Sequence, residues 1–340
     1  METRQKLSEL GHTLSDCRNM LIVAHDNPDP DSLSSAAALR YILAKKFRIR
    51  SKIIYGGIVG RAENKTMVQL LKIPAAPIHE IPIDKFNHFA LVDTQPGTGN
   101  NSLPHDVHPT IVIDHHPQRN NTAADYIDIR DGYGATATLL TEYLIASELE
   151  VPASLATALY YGIVSETQNL GRDAKDPDRQ ACSFLFPYTH KKILSKIQHP
   201  KLSRDYFSNL SQALRNAVVH RNVIISKLGA IQNPDHVPYI ADLLLQLERM
   251  TWSFVIGQYQ DRLLLSLRTQ RITGNAGKLI QKLVHPLGKA GGHDMIAGGK
   301  IPCPDATQHE INQMIEELID KFTKMVLHVD QPEWKPLLED

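Results

Sequence analysis

Met20-Leu21-Ile22-Val23-Ala24-His25-Asp26-Asn27-Pro28-Asp29-Pro30-Asp31-Ser32 is the stretch whose reading decides the fold. Its first five residues form an unbroken apolar run, the pattern of a strand buried on both faces. Ser34 to Leu43 follows with helical periodicity, and Asp31 or Ser32 is placed to cap that helix. A strand running directly into a helix is the first step of a parallel α/β sheet. His25, Asp29 and Asp31 then lie at the carboxyl end of a strand, where open α/β sheets place their ligands. Pro28 and Pro30 restrict the loop that carries them. Acceptors held this close repel one another unless a cation sits between them, and imidazole with carboxylate suits Mn²⁺, Fe²⁺ or Zn²⁺ better than Ca²⁺. Taken alone, the stretch also fits a polar turn in which Asp and Pro do turn chemistry only.

Two further strands repeat the arrangement. Phe89-Ala90-Leu91-Val92 ends on Asp93-Thr94-Gln95, and Thr110-Ile111-Val112-Ile113 ends on Asp114-His115-His116. In a parallel sheet these termini share one edge, so the acids and imidazoles converge. Ser51 to Gly57 reads as a strand ending in a glycine turn, Ala62 to Leu71 as a short helix, and Pro74 to Pro82 as loop. Gly134 to Leu144 reads as a helix whose small first residues would let a phosphate approach its amino terminus. Ala153 to Val164 reads as a core helix that runs into Glu166, an acid disfavoured at a helix carboxyl end without a nearby cation.

The whole chain sets the frame. Its 340 residues suffice for two ordinary domains, and 42% hydrophobic with 22% charged residues is a globular composition. With 37 basic and 37 acidic residues the net charge is zero, which argues against a long duplex-tracking surface but leaves room for a short anionic ligand. Cys17, Cys182 and Cys303 are too far apart for a zinc ribbon or redox pair, so a reducing cytoplasm is the simpler reading. The polar start, Met1 to Lys6, lacks an apolar signal core, and no apolar run approaches a membrane span. The sequence therefore predicts a cytoplasmic protein that does not enter a membrane.

The second half changes character. Ala217 to Lys227, Trp252 to Tyr259 and Arg262 to Arg268 read as strands, the last two flanking a Gln260-Asp261 hairpin turn. Val237 to Arg249, Gly277 to Leu287 and Thr307 to Leu327 read as helices. The glycine-rich stretch 288–299 reads as turns, including Gly288, Gly298 and Gly299. The expected organisation is a metal-binding domain over 1–189, a helical linker over 190–213, a smaller α/β domain over 214–329 and an extended tail over 330–340.

The His25-x-Asn27-Pro28-Asp29-x-Asp31 motif, Asp93 and the Asp114-His115-His116 triplet, in this order, resemble the DHH family of phosphoesterases. Arg268 and Gly291-Gly292-His293 resemble the substrate-binding domain of its nanoRNase and RecJ-like branch. The resemblance runs from about residue 18 to residue 326. It implies an active site in a cleft between two domains holding two divalent ions, usually Mn²⁺. By position, His25, Asp29 and Asp93 would hold one ion, and Asp31, Asp93, His115 and Glu166 the other. Coordination to such a cation lowers the pKa of water to about 7 in the best-studied zinc case, so hydroxide would be available to attack phosphorus.

Asp114 would accept from an imidazole ligand, and His116 would contact substrate or protonate the leaving group. Asn27 would donate to the phosphate or hold its loop. Arg268, Gly291, Gly292 and His293 would bind the phosphate. The sequence departs from the family at Glu166, where Asp is usual, and at Ala290, where a third glycine is usual. The implied substrates are short RNA or DNA oligonucleotides or small phosphorylated nucleotides such as 3′-phosphoadenosine 5′-phosphate, and a homodimer is compatible with the pattern. Rival readings are a RecJ-like single-strand exonuclease, a cyclic-dinucleotide phosphodiesterase, a family II pyrophosphatase and a non-catalytic nucleotide-binding protein. His105 and His108 are expected to face solvent.

Overall fold

A computed structural model describes residues 2–171, 174–292 and 294–338, and the chain divides into two compact units, Met1–Lys201 and Leu202–Asp340. The first unit contains α1 (Glu2–Thr13), β1 (Asn19–Ala24), α2 (Pro30–Lys46), β2 (Arg50–Tyr55), α3 (Ala62–Leu71), β3 (Ala75–Pro77), β4 (Phe89–Val92), β5 (Ile111–Asp114) and β6 (Tyr126–Ile129). Helices α4 (Thr136–Ala146), α5 (Ala153–Glu166), α6 (Asp176–Leu185) and α7 (Lys191–Gln198) complete it. Among the described residues its sheet has six strands in the order β3-β2-β1-β4-β5-β6, every pairing parallel. The chain steps outward from β1 to β3, then returns to lay β4 on the other side of β1. That reversal leaves a crevice at the carboxyl ends of β1 and β4.

The apolar run of β1 is buried on both faces, as its composition requires. Met20 and Ile22 join a core with Leu39 of α2, Leu140 of α4 and Leu159 of α5. Leu21 and Val23 point the other way, against Ile78, Phe86, Leu103 and Val107 of the connecting segments. One face is thus covered by helices and the other by irregular chain. The segment expected as loop over 74–82 supplies both β3 and a short 3₁₀ turn at Ile78–Glu80. Strand β6 escaped the sequence reading because a buried Asp128 interrupts its apolar pattern; Arg130 meets that carboxylate through Nε and Nη2, both at 2.8 Å.

The second unit contains α8 (Arg204–Arg215), β7 (Val218–His220), β8 (Val223–Ala230), α9 (His236–Leu244), β9 (Trp252–Tyr259), β10 (Arg262–Thr269), α10 (Ala276–Val284), β11 (Lys289–Gly292), β12 (Ile296–Pro302), α11 (Gln308–Leu327) and β13 (Lys335–Pro336). Its mixed sheet runs β11-β12-β10-β9-β8-β7-β13. The β9–β10 hairpin turns at Gln260-Asp261 as expected, and α11 is amphipathic with a Thr307–Glu310 capping box. The single strand expected over 217–227 is instead a hairpin, β7 and β8, turning where Arg221 takes a left-handed φ of 52°. The glycine-rich stretch over 288–299 is also a hairpin, and Gly298 and Gly299 are strand residues of β12. Glycine's poor strand propensity hides such a pair in sequence, yet the packing demands it. A Cβ at Gly288 would lie 2.1 Å from the carbonyl oxygen of Lys300. No helix among the described residues is long and apolar enough to cross a membrane.

Candidate metal centre

In the turn after β1, His25 and Asp29 are held by neighbours in the chain, while Asp26 and Asn27 bond to Asn100, Ser102, Gly56 and Ile58. Asp29, rather than Asp31 or Ser32, caps α2, its Oδ1 accepting from the Ser32 N–H at 2.9 Å, and Pro30 occupies the first helical turn. The Ser32 hydroxyl accepts from the His25 N–H at 3.3 Å. Within the His25 ring, Nδ1 lies 3.0 Å from the Asp26 carbonyl. Only a protonated Nδ1 can bond a carbonyl, so in the neutral ring, the form that binds a cation, Nε2 carries the lone pair. That Nε2 is 3.4 Å from Asp29 Oδ2 and 3.6 Å from Asp93 Oδ2. Asp93 closes β4 in the left-handed region, φ 60°, a conformation Asp tolerates better than most residues.

The ligand candidates after β5 depend on distant chain. His115 Nδ1 lies 3.2 Å from the Tyr133 carbonyl, which again turns Nε2 inward, 3.6 Å from Asp93 Oδ1 and 3.9 Å from Asp31 Oδ2. Asp31 is buried at the amino terminus of α4. It accepts from the N–H groups of Thr136 at 2.8 Å and Ala137 at 2.7 Å, where the helix dipole favours negative charge. The amino terminus of α4 thus holds a carboxylate of the protein, not the phosphate its small residues suggest. Asp114 Oδ1 accepts from His116 Nδ1 at 2.8 Å, and Oδ2 from Gln95 Nε2 at 2.7 Å.

Charge and burial show why the cluster fits cations. Burial, then repulsion from Asp29 and Glu166, pushes Asp31 up to about 8 despite its two backbone donors. Burial and the neighbouring carboxylates of Asp31, Asp29 and Asp114 hold Asp93 well above the usual carboxylate range. Burial disfavours charge on His25, but Asp29 overrides it and raises the imidazole to about 9. Burial and then His116 lower His115 to about 4. Burial also works against ionised Asp114 and charged His116, yet their mutual contact lowers the first and raises the second.

Separations of 3.4–3.8 Å between imidazole nitrogen and carboxylate oxygen in these groups are long for hydrogen bonds. They are close to the spacing of neighbouring ligands that each sit about 2.0–2.2 Å from one ion. Two such groups appear among the described residues: His25, Asp29 and Asp93, and Asp93, His115 and His116. Asp93 belongs to both. The donor set therefore fits a pair of divalent cations with one shared carboxylate.

The other sequence candidates fall around this core or outside it. Glu166, half-buried at the end of α5, lies in neither compact group, although its charge reaches His25, Asp31, Asp93 and His116. Asn27 takes a left-handed φ of 53°, and its Oδ1 accepts from the Ile58 N–H at 3.0 Å, which holds its loop. In the second unit, the buried Arg268 donates through Nε to Asp242 at 2.5 Å and through Nη1 to the Leu267 and Ala297 carbonyls. Gly291 and Gly292 are exposed on β11, and a Cβ at Gly292 would lie 2.3 Å from the Ile296 carbonyl oxygen. His293 lies outside the described residues. His105 and His108 are exposed, the latter paired with Asp125.

Sequence reasoning missed Gln95, Tyr133, Thr136 and Ala137, none of which carries charge. A signal existed for Gln95, which follows Asp93 by two positions. Its buried amide is fully used: Nε2 donates to Asp114, and Oε1 accepts from the Arg119 N–H at 3.0 Å and Thr122 Oγ1 at 2.8 Å.

Comparison with known proteins agrees with this architecture. Residues 19–163 match the DHH family, N-terminal domain, and residues 220–324 match the DHHA1 domain. The chain belongs to the DHH family of phosphoesterases and carries a DHHA1 carboxyl-terminal domain. It is 35% identical over 322 residues to the uncharacterized protein MJ1633 of Methanocaldococcus jannaschii, covering 92% of this chain and 65% of that protein. It is 28% identical over 169 residues to a probable manganese-dependent inorganic pyrophosphatase of Lactobacillus gasseri, covering 48% of this chain and 53% of that protein. These matches thus span between half and two thirds of the relatives' lengths. The crystal structure of an exopolyphosphatase-related protein from Bacteroides fragilis shares the fold, with a TM-score of 0.74 at 14% identity over 96% of this chain and 98% of that one.

Proposed function

We propose that the protein is a two-metal phosphoesterase that hydrolyses short oligonucleotides or a small phosphorylated nucleotide such as 3′-phosphoadenosine 5′-phosphate. One observation carries this reading: the two oxygens of Asp93 face different imidazole ligand candidates, Oδ2 toward His25 and Oδ1 toward His115. A shared carboxylate of this kind is what a pair of divalent ions requires. Such ions, Mn²⁺ in this proposal, would supply a water of lowered pKa and offset charge on phosphate oxygens. His25, Asp29 and Asp93 would hold one, and Asp93, His115 and Asp31 the other, with Glu166 supplying negative charge beside them.

His116 is assigned to the leaving group. Asp114 holds its Nδ1, and its side chain is one-third exposed, against 15% for His25 and 12% for His115. Asp114 keeps the ring oriented and favours its protonated form, the form that can donate. Asn27 holds the loop of the first ligand turn. Arg268, Gly291, Gly292 and His293 are assigned to phosphate recognition by the second unit, with Arg268 also tying β10 to α9 through Asp242. The zero net charge agrees with a short substrate.

The test is Mn²⁺-dependent release of nitrophenol from bis-p-nitrophenyl phosphate by the wild type and by an Asp114→Ala, His115→Ala variant. Turnover by the wild type alone is expected; equal rates with metal bound would leave a nucleotide-binding module. Two- to twenty-residue RNA and DNA, the bisphosphate nucleotide and pyrophosphate then separate the substrates. Pyrophosphate is included because the chain is similar to a probable manganese-dependent inorganic pyrophosphatase. Dinucleotides should turn over faster than long DNA, and the reverse order would overturn the substrate assignment.

A further inference from the structure

We propose that Thr136 is a positioning residue whose hydroxyl fixes the rotation of the Asp93 carboxylate, so that each oxygen serves a different cation; the inference rests on the two-cation reading above. Thr136 is fully buried and opens α4. Its Oγ1 donates to Asp93 Oδ1 at 2.9 Å, and its N–H donates to Asp31 Oδ2 at 2.8 Å. One residue therefore touches two of the acidic ligand candidates with two different donors.

The position in the helix explains why the hydroxyl is available. Thr141, Thr157 and Thr323 spend theirs on the carbonyl four residues earlier in their own helix, and Thr167, the residue that caps the end of α5, does the same. The first residue of a helix has no such carbonyl within the helix. Thr138, one turn-fraction further on, also points its hydroxyl at a buried carboxylate, Asp178, at 2.6 Å. Asp178 accepts from the Gly134 N–H at 2.9 Å as well. Thr136 is thus clamped between Asp31 on its own N–H and Asp178 on the residues flanking it, which makes it a rigid donor.

Asp93 needs such a donor. The terminal torsion of an aspartate is broad and roughly two-fold, so the side chain has little rotational preference of its own. Surrounding carboxylates and imidazoles pull its oxygens in several directions. A hydrogen bond to Oδ1 uses one lone pair, leaves another for a cation, and holds Oδ1 3.6 Å from His115 Nε2 while Oδ2 stays 3.6 Å from His25 Nε2.

The experiment uses the full chain stripped of metal. Mn²⁺ is titrated calorimetrically into the wild type, Thr136→Val and Thr136→Ser, and each loaded protein is examined by electron paramagnetic resonance. The wild type should bind two ions with the spectrum of a spin-coupled pair. Thr136→Val should lose about 10–100-fold in affinity at one site, the usual scale for a residue that orients a ligand, and should show isolated ions. Thr136→Ser should restore both the affinity and the coupled spectrum. A Thr136→Val protein with wild-type affinities and coupling overturns the proposal, as does a Thr136→Ser protein that behaves like the valine variant. Should the valine variant not fold, Thr136→Ala is read in the same way. A wild type that binds fewer than two ions fails earlier, without any substitution, and sinks the two-cation reading itself.

Discussion

The two sides of the candidate metal centre are built by opposite strategies. On the β1 side, His25 and Asp29 are held by atoms of their own turn, none more than seven positions away. On the far side, Asp31 is held by N–H groups 105 and 106 positions along the chain, and Asp93 by a hydroxyl 43 positions away. His115 leans on a carbonyl 18 positions away, and Asp114 on an amide 19 positions away. The turn after β1 is tied to distant chain through Asp26 and Asn27, but the atoms that orient His25 and Asp29 are its own. The long-range side forms only once α4 is docked, so a cation held there would be coupled to tertiary order.

The largest expected effect comes from the residue common to both sides. Asp93→Asn should remove at least about a thousandfold of turnover, since metal assistance is worth several kcal/mol. The same change should raise the melting temperature of the metal-free protein at alkaline pH, where ionisation of Asp93 would otherwise add a buried charge to a repulsive cluster. A lower melting temperature would mean that the metal-free cluster is not repulsive.

Next in size is a direct contrast between the sides. Gln95→Leu breaks a long-range support and should cost about 10–100-fold in turnover or metal affinity, whereas Ser32→Ala, on the local side, should cost no more than about tenfold. Equal losses would erase the distinction. Gly162→Val tests how the local turn is buttressed. A Cβ at Gly162 would lie 2.3 Å from Ser34 Oγ and 3.1 Å from the Pro30 carbonyl, so crowding should destabilise the fold by about 1–3 kcal/mol. Denaturant unfolding measures it.

Smaller still is the pH response of the metal-free protein. Asp31 rises to about 8 in the folded chain and His25 to about 9. An acid with a raised folded pKa lowers stability from its ordinary pKa up to the raised one, and a histidine with a raised folded pKa loses its contribution from its ordinary pKa up to the raised one. His115, lowered to about 4, is neutral in both states above its ordinary value near 6.5 and adds no slope there. Stability without metal should therefore fall between about pH 6.5 and 8, and saturating Mn²⁺ should abolish the decline. A metal-free melting temperature that is flat or rising over this window contradicts the assignment.

Legibility follows the same division. The strand ends at Ala24, Val92 and Ile113, and the acids and imidazoles after them, could be read because apolar runs and polar turns are local patterns. Asp29 as the α2 cap was missed by two positions, since Asp29, Asp31 and Ser32 offer equivalent capping chemistry and only the backbone chooses. Strand β6 was hidden by Asp128, and the β11–β12 hairpin by its glycines. Thr136 and Gln95 were passed over because neutral side chains carry no sign of what they will touch.

By itself the sequence determined which residues could bind cations and that they would stand at the carboxyl ends of parallel strands. Tertiary structure decided how closely they meet, that the two oxygens of Asp93 face different groups, and that the amino terminus of α4 holds Asp31. The physical reason is range: caps, turns and strand periodicity are fixed by neighbours in the chain, while contacts between residues a hundred positions apart are fixed by how helices pack on a sheet.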